Sequence, residues 1–155
     1  MLDPHKSKFH ALYWDMAIAA SYSSVSRIAK VGSVVVTSAG MISVGWNGMP
    51  PGINNDCEYY DEESSCWRSK REVIHSEINA LDKMARQGVT ADGSIIFSTR
   101  APCIRCAKSI LTRGIKAVYY LEPHKNDEGV NLLKRVGIYV EYQGDKYPDF
   151  YEWEL

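Results

Sequence analysis

From Phe9 to about Tyr22, the apolar residues Leu12, Tyr13, Met16, Ala17 and Ala20 recur three and four apart, the spacing that lines one face of a helix. The period then changes. "VGSVVV" (31–36) and "MISVGW" (41–46) are short β-branched or apolar runs joined by "TSAG", which predicts a hairpin. From Asn47 to Lys70 no period is sustained, and the stretch reads as a long loop. Ile74, Ile78, Leu81 and Ala85 mark a second helix, closed by Gly88, and "SIIFS" (94–98) is a buried strand. After Pro102, the residues Ile104, Ala107, Ile110 and Leu111 predict a third helix stopped by Gly114, followed by the strand "KAVYYL" (116–121). "EGVNLLKRVG" and "IYVEY" repeat the pattern once more. Helices that alternate with strands predict an α/β fold with a largely parallel sheet. The tail "DKYPDFYEWEL" is aromatic and acidic, suited to covering an edge, meeting a partner or fraying.

The 155 residues fit a single domain spanning 1–155, with its core between about 9 and 142. Hydrophobic residues make up 45%, charged residues 24%, and the net charge of −1 disfavours a nucleic-acid polymer as partner, since such binders carry a basic stripe. No apolar run is long enough to span a membrane, and "MLDPHKSKFH" is no signal peptide, so a cytoplasmic location is expected. In a reducing compartment the four cysteines, Cys57, Cys66, Cys103 and Cys106, point to metal or catalytic roles more than to disulfides.

"HSEINAL" carries the candidate chemistry. Inside a regular helix His75 and Glu77 would project about 200° apart, because each residue turns the helix by about 100°. If His75 is instead the entry residue, ring and carboxylate can converge beyond the helix N-terminus. The partner segment is "APCIRC", where Cys103 and Cys106 fall on one face of the first turn of a helix starting at Pro102. Two thiolates and an imidazole are three ligands for a tetrahedral zinc, with a fourth position open for water. Glu77 is then no ligand, but the base that takes a proton from water and hands it to substrate. H-x-E followed by P-C-x-x-C is a signature of zinc deaminases acting on cytosine or adenine. The alternatives are a closed structural zinc site with Cys57 or Cys66 as fourth ligand, which leaves Glu77 without a task, and a redox pair, which ignores His75.

With these residues in view, the chain resembles the deoxycytidylate (dCMP) deaminases of the cytidine-deaminase-like superfamily. The resemblance runs over residues 9 to 140 and rests on "YWDMAIAAS", "KVGSVVV", "GWNGMPPG", "HSEINAL", "TRAPCIRCAKSIL" and the "GI" before the "KAVYYL" strand. "GWNGMPPG" discriminates within the superfamily, although Trp46 replaces a tyrosine. The resemblance implies a three-layer α/β/α sandwich with a five-stranded mixed sheet, and zinc-dependent conversion of dCMP to dUMP, which supplies dUMP for dTMP synthesis. It also implies a homo-hexamer activated by dCTP and inhibited by dTTP, with Mg2+ accompanying the triphosphate. Two departures stand out: Ser76 replaces the usual alanine between histidine and glutamate, and Arg100 stands where many relatives carry an apolar residue.

Substrate contacts are expected at Asn47, Ala101 and Tyr120, the last because the resemblance implies a pocket lined there, although Tyr120 could equally be a rim or core residue. Asn47 has a donor and an acceptor to offer, with Gly45 and Gly48 allowing close backbone approach; equally, it is a left-handed turn residue. Ser24, Arg27, Lys30, Gly48 and Asp56 are candidates for nucleotide or effector contacts, Arg27 and Lys30 for phosphate in particular. Arg100 and Arg105 flank the zinc segment or face solvent, and His124 lies near the pocket or its rim. Cys57 and Cys66, with His5, His10 or His124, match no compact motif for a second zinc, and read better as buried or idle thiols. Rival readings are a deaminase of dCTP or a modified cytosine nucleotide, and a nucleotide sensor with structural zinc.

Overall fold

The computed structural model describes residues 3–147. The aromatic tail beyond residue 147 lies outside them. In chain order the elements are α1 (His10–Ser21), β1 (Gly32–Val36), β2 (Ile42–Trp46), β3 (Glu58–Asp61), β4 (Cys66–Ser69), α2 (Ser76–Arg86), β5 (Ile95–Arg100), α3 (Ile104–Thr112), β6 (Ala117–Glu122), α4 (Glu128–Arg135) and β7 (Tyr139–Tyr142).

β1 is buried at every position because helices cover both faces of the sheet to which it belongs. Successive side chains go to opposite layers. Val34, Val36, Ile95 and Phe97 pack with Tyr13, Trp14, Ala17 and Ile18 of α1. Val35, Ile96 and Val118 pack with Leu81, Met84, Ala107, Ile110 and Leu133 of α2, α3 and α4. The strand order is β2-β1-β5-β6-β7. β1 runs antiparallel to both β2 and β5, whereas β5–β6 and β6–β7 are parallel, so the sheet is mixed. This is the five-stranded three-layer α/β/α arrangement; "largely parallel" holds only for its β5–β6–β7 side.

Three details differ from the hydrophobic pattern. The buried residues of α1 are His10, Tyr13, Trp14, Ala17, Ile18, Ala20 and Ser21, while Leu12 is 52% exposed. Polar His10 and Ser21 belong to the packed stripe, and counting apolar residues alone rotates the face. The expected long loop contains β3 and β4, an antiparallel hairpin turned at Ser65, whose φ is 51°. Helix α3 starts at Ile104 rather than Pro102, with Cys103 as its N-cap. The glycines Gly88 and Gly114 do close α2 and α3 in the left-handed conformation, at φ 67° and 77°.

Gly45 sets the position of α2. A Cβ there would collide with the carbonyl oxygen of Ser76 and the amide nitrogen of Ala80, so the first turn of α2 lies directly on β2. The close approach at Gly45 is helix against strand, and is not reserved for a ligand.

Candidate active site

His75 is the N-cap of α2, with extended backbone at φ −72° and ψ 156°. Just before it, Ile74 donates its N–H to the carbonyl of Gly48 at 2.8 Å, and Gly48 donates to the carbonyl of Ile74 at 3.1 Å. This clamp fixes the approach of the chain to the helix. Cys103 is likewise the N-cap of α3, at φ −70° and ψ 170°, and Cys106 follows inside the first turn. Two helix N-termini thus bring three ligand atoms within 4.8 Å of one another. Nδ1 of His75 lies 3.5 Å from Sγ of Cys103 and 3.3 Å from Sγ of Cys106. Two sulfurs and an imidazole nitrogen this close together suit three of the four ligands of a tetrahedral zinc, and two of the three residues, His75 and Cys103, also line a cavity. Among the described residues this is the one group of three or more His, Cys, Asp or Glu side chains close enough to hold an ion.

Without the ion the two thiols divide one proton between them. The hydrogen bond from Cys106 holds Cys103 down to about 3, with His75 assisting against burial. Cys106, buried and bonded to that thiolate, is pushed up. The hydrogen bond with Cys103 raises His75 above its ordinary value against burial, and the charge of Glu77 adds to the rise. A divalent cation would take the place of those protons. Glu77 is 4% exposed, and its burial raises its proton affinity above that of an ordinary carboxylate; its own backbone N–H, His75 and the Ser76 hydroxyl pull the other way. Ser76 donates to Oε2 of Glu77 at 3.2 Å. Behind it, Oγ of Ser33 is 2.6 Å from Oγ of Ser76 and 3.0 Å from Oγ of Ser98.

A cavity of about 330 Å3 opens beside this cluster, lined by His75, Glu77, Cys103, Asn47, Ala101 and Arg100 among others. That size suits a small molecule, since such sites run from about 300 to 1,000 Å3. Asn47 is 8% exposed, and its amide is already engaged: Nδ2 donates to the carbonyl of Ala29 at 2.7 Å, and Oδ1 accepts from the N–H of Val31 at 2.9 Å. It anchors the loop between α1 and β1, keeping one N–H and one lone pair for anything else. The N–H of Ala101 donates to the carbonyl of Glu122, which fixes this wall residue beside Cys103.

Other candidates lie apart from the cavity. Tyr120 packs against Tyr142, with ring centroids 5.5 Å apart, and the wall near it is formed by His124 and Lys125. Ser24 donates to the carbonyl of Asn47 at 2.8 Å and shapes the loop. The guanidinium of Arg27 lies over Trp67, 5.9 Å from the ring centroid, and exposed Lys30 is not part of the wall. Gly48 serves the clamp on Ile74, and Asp56 pairs with Lys70 at 3.5 Å. Arg105 lines a second groove with Arg71 and Lys108, whose wall also includes His75 and Cys106. Cys57 is buried and Cys66 exposed, and neither joins a metal-binding group.

Sequence reasoning passed over Glu58. Its carboxylate is buried, and Oε1 accepts from the Ser26 hydroxyl at 2.6 Å and the Arg27 N–H at 2.9 Å. The hairpin thereby fastens the loop whose Ser26, Ile28 and Ala29 line the cavity. The signal was a charged residue opening a short aromatic run, "EYY", that reads as surface until its partners are known.

Residues 7–122 match the family model for the cytidine and deoxycytidylate deaminase zinc-binding region. The chain is 31% identical to the deoxycytidylate deaminase of Enterobacteria phage T4 over 164 residues, covering 81% of this chain and 84% of that protein. It is 37% identical to ComE operon protein 2 of Bacillus subtilis over 116 residues, 72% of this chain, and spans only 58% of that relative. Its fold is similar to the crystal structure of dCMP deaminase from cyanophage S-TIM5 in complex with dCMP and dUMP, with a TM-score of 0.79 and 37% identity over 88% of this chain and 98% of that one. The paired helix N-termini, the buried glutamate between them and these likenesses agree: the chain belongs to the deoxycytidylate deaminase family of the cytidine-deaminase-like fold.

Proposed function

We propose that this protein hydrolyses dCMP to dUMP and ammonia. The observation that carries the reading is the buried carboxylate of Glu77 in the wall of the same cavity as His75 and Cys103. His75, Cys103 and Cys106 would hold zinc, which when bound supplies the positive charge that makes a water acidic enough to be deprotonated near neutral pH. Glu77 takes that proton as the water oxygen bonds to C4 of the pyrimidine, and delivers it to N3. It then moves a second proton from the added hydroxyl to the amino group at C4. The C4–N bond breaks, ammonia leaves, and the carbonyl of dUMP remains. A carboxylate with raised proton affinity suits both halves of this task. Relatedness to phage deoxycytidylate deaminases and a similar structure that holds dCMP and dUMP support the choice of substrate.

The same reading includes activation by dCTP, inhibition by dTTP, magnesium arriving with the triphosphate, and a hexamer. Support comes from family membership and from half-exposed Tyr59, Tyr60 and Trp67 on the β3–β4 hairpin, side chains of the kind that subunit contacts cover. Among the described residues, no helix is long and apolar enough to cross a membrane, which accords with a cytoplasmic enzyme.

The test is an ultraviolet assay of the zinc-loaded protein with dCMP, dCTP and deoxycytidine, each with and without the two effectors. Loss of the cytosine chromophore from dCMP is the expected result. A protein that binds dCMP and leaves the chromophore intact is a sensor, and the proposal fails.

A further inference from the structure

Two polar groups that lie buried without a hydrogen-bond partner, Nε of Arg100 and Nδ1 of His124, both belong to residues in the wall of the cavity that holds Glu77. Arg100 ends β5, and across the parallel ladder its register partner is Glu122, yet no ion pair joins them. The buried Nε–H of a guanidinium in this state is a donor whose partner the protein itself does not supply. His124 follows β6, and Lys125 beside it adds a second exposed cation to the same wall. Against these stands one carboxylate in the wall, Glu77, which is committed to Ser76. The wall is therefore a cationic end with unused donors joined to a metal-ligating end.

A pyrimidine nucleotide has the matching polarity, with a reacting base at one end and a phosphate at the other. We infer that Arg100 and His124, assisted by Lys125, hold the 5′-phosphate of the substrate. The inference rests on the deaminase reading above. Phosphate oxygens accept two parallel N–H bonds from a planar guanidinium, which a lysine cannot reproduce. Burial first, and the charge of Arg100 second, keep His124 below its ordinary value. Arg27 is turned to Trp67, which leaves Arg100 as the arginine of this cavity. Selectivity follows: a nucleoside would leave both donors buried and unpaired, and a site built in this way rejects it.

The experiment compares dCMP with deoxycytidine on the zinc-loaded wild type, R100L, R100K and H124A, reading kcat/KM by ultraviolet absorbance and affinity by titration calorimetry. R100L should lower kcat/KM for dCMP roughly 10- to 100-fold, the scale for lost hydrogen bonds to a charged group. The preference for dCMP over deoxycytidine should shrink by the same factor. R100K should recover part of it, and H124A should cost less than R100L. R100Q, which keeps a polar side chain without the charge, replaces R100L if that variant does not fold. Equal losses for both substrates, or an unchanged preference, overturn the assignment. A wild type that binds dCMP through Arg100 without turning it over overturns the deaminase reading and keeps the clamp, so the two failures are separable.

Discussion

Oγ of Ser33 lies 2.6 Å from Oγ of Ser76, and both side chains are fully buried. The pair joins β1 to the first turn of α2 and stands between Ser98 and Glu77. Each hydroxyl carries one proton. Ser33 donates to Oγ of Ser98 at 3.0 Å, so a protonated Glu77 completes the row by donating to Ser76, which then donates to Ser33; an ionised Glu77 instead accepts from Ser76, whose one proton is then withdrawn from Ser33. The single proton of Ser76 thus turns between Ser33 and Glu77 as the carboxylate changes form.

Removing two neighbours should therefore cost less than the two single removals added together. S76A takes from Ser33 one of its two hydroxyl neighbours and leaves Ser98 as the other, and S33A takes from Ser76 the neighbour on one side and leaves Glu77, so each single change costs up to about 1–3 kcal/mol, whereas the double change removes their shared contact only once. Urea denaturation of S33A, S76A and S33A/S76A gives the cycle. The double variant should lose clearly less than the sum of the singles; additive losses would show that the two hydroxyls act independently.

Glu77 and the ligands should separate in a metal assay. E77Q keeps the volume of the side chain and removes its basicity, so zinc content should stay at one ion per chain while turnover falls by about 10²- to 10⁴-fold, the usual contribution of a general acid–base group. C103S and H75A should lose the ion. Zinc lost from E77Q in proportion to activity would make Glu77 a ligand.

The positions of this chemistry were legible because they rest on local rules. A histidine two residues before a glutamate at the start of an apolar period has to be a helix entry if both are to face one site, and the backbone of His75 is extended. The glycines after α2 and α3 announced both helix ends. What stayed hidden depends on contacts between distant segments. Asn47 could be recognised as a residue with two polar handles, but only the fold shows them used on Ala29 and Val31. The four-residue strands β3 and β4 are largely exposed on both sides, so they carry no alternation to detect. Arg100 departs from an apolar position, and its lack of any partner becomes visible only in the packed cavity.

Acid should weaken the fold through His10. Its ring packs against the stacked pair Phe97 and Tyr119, with centroids 4.9 Å and 4.8 Å away, and burial lowers its pKa while the His5 backbone and Glu141 partly oppose the shift. In the unfolded chain the imidazole takes its proton near about pH 6.5. Between that value and the lower folded one, the unfolded state holds more protons, so stability is full above pH 6.5 and drains away as pH falls below it. H10F removes the group. Its melting temperature should fall less than that of the wild type between pH 7.5 and 5.5, and parallel curves would exclude His10 as the source.

Glu58 should act on substrate binding from outside the cavity. Its carboxylate accepts from the Ser26 hydroxyl and the Arg27 N–H, and the loop carrying Ser26, Ile28 and Ala29 forms one wall. E58A leaves those donors to find water and frees the loop to take several positions, of which few match the substrate. The metal ligands sit on α2 and α3, in the other helical layer, and do not depend on this fastening. E58A should therefore raise KM for dCMP by about tenfold, the scale for hydrogen bonds to a buried carboxylate, with kcat at saturation and zinc content little changed. E58Q retains an acceptor oxygen and should fall between wild type and E58A. If kcat falls while KM holds, the hairpin reaches the reacting groups by another route, and the loop is not what Glu58 positions.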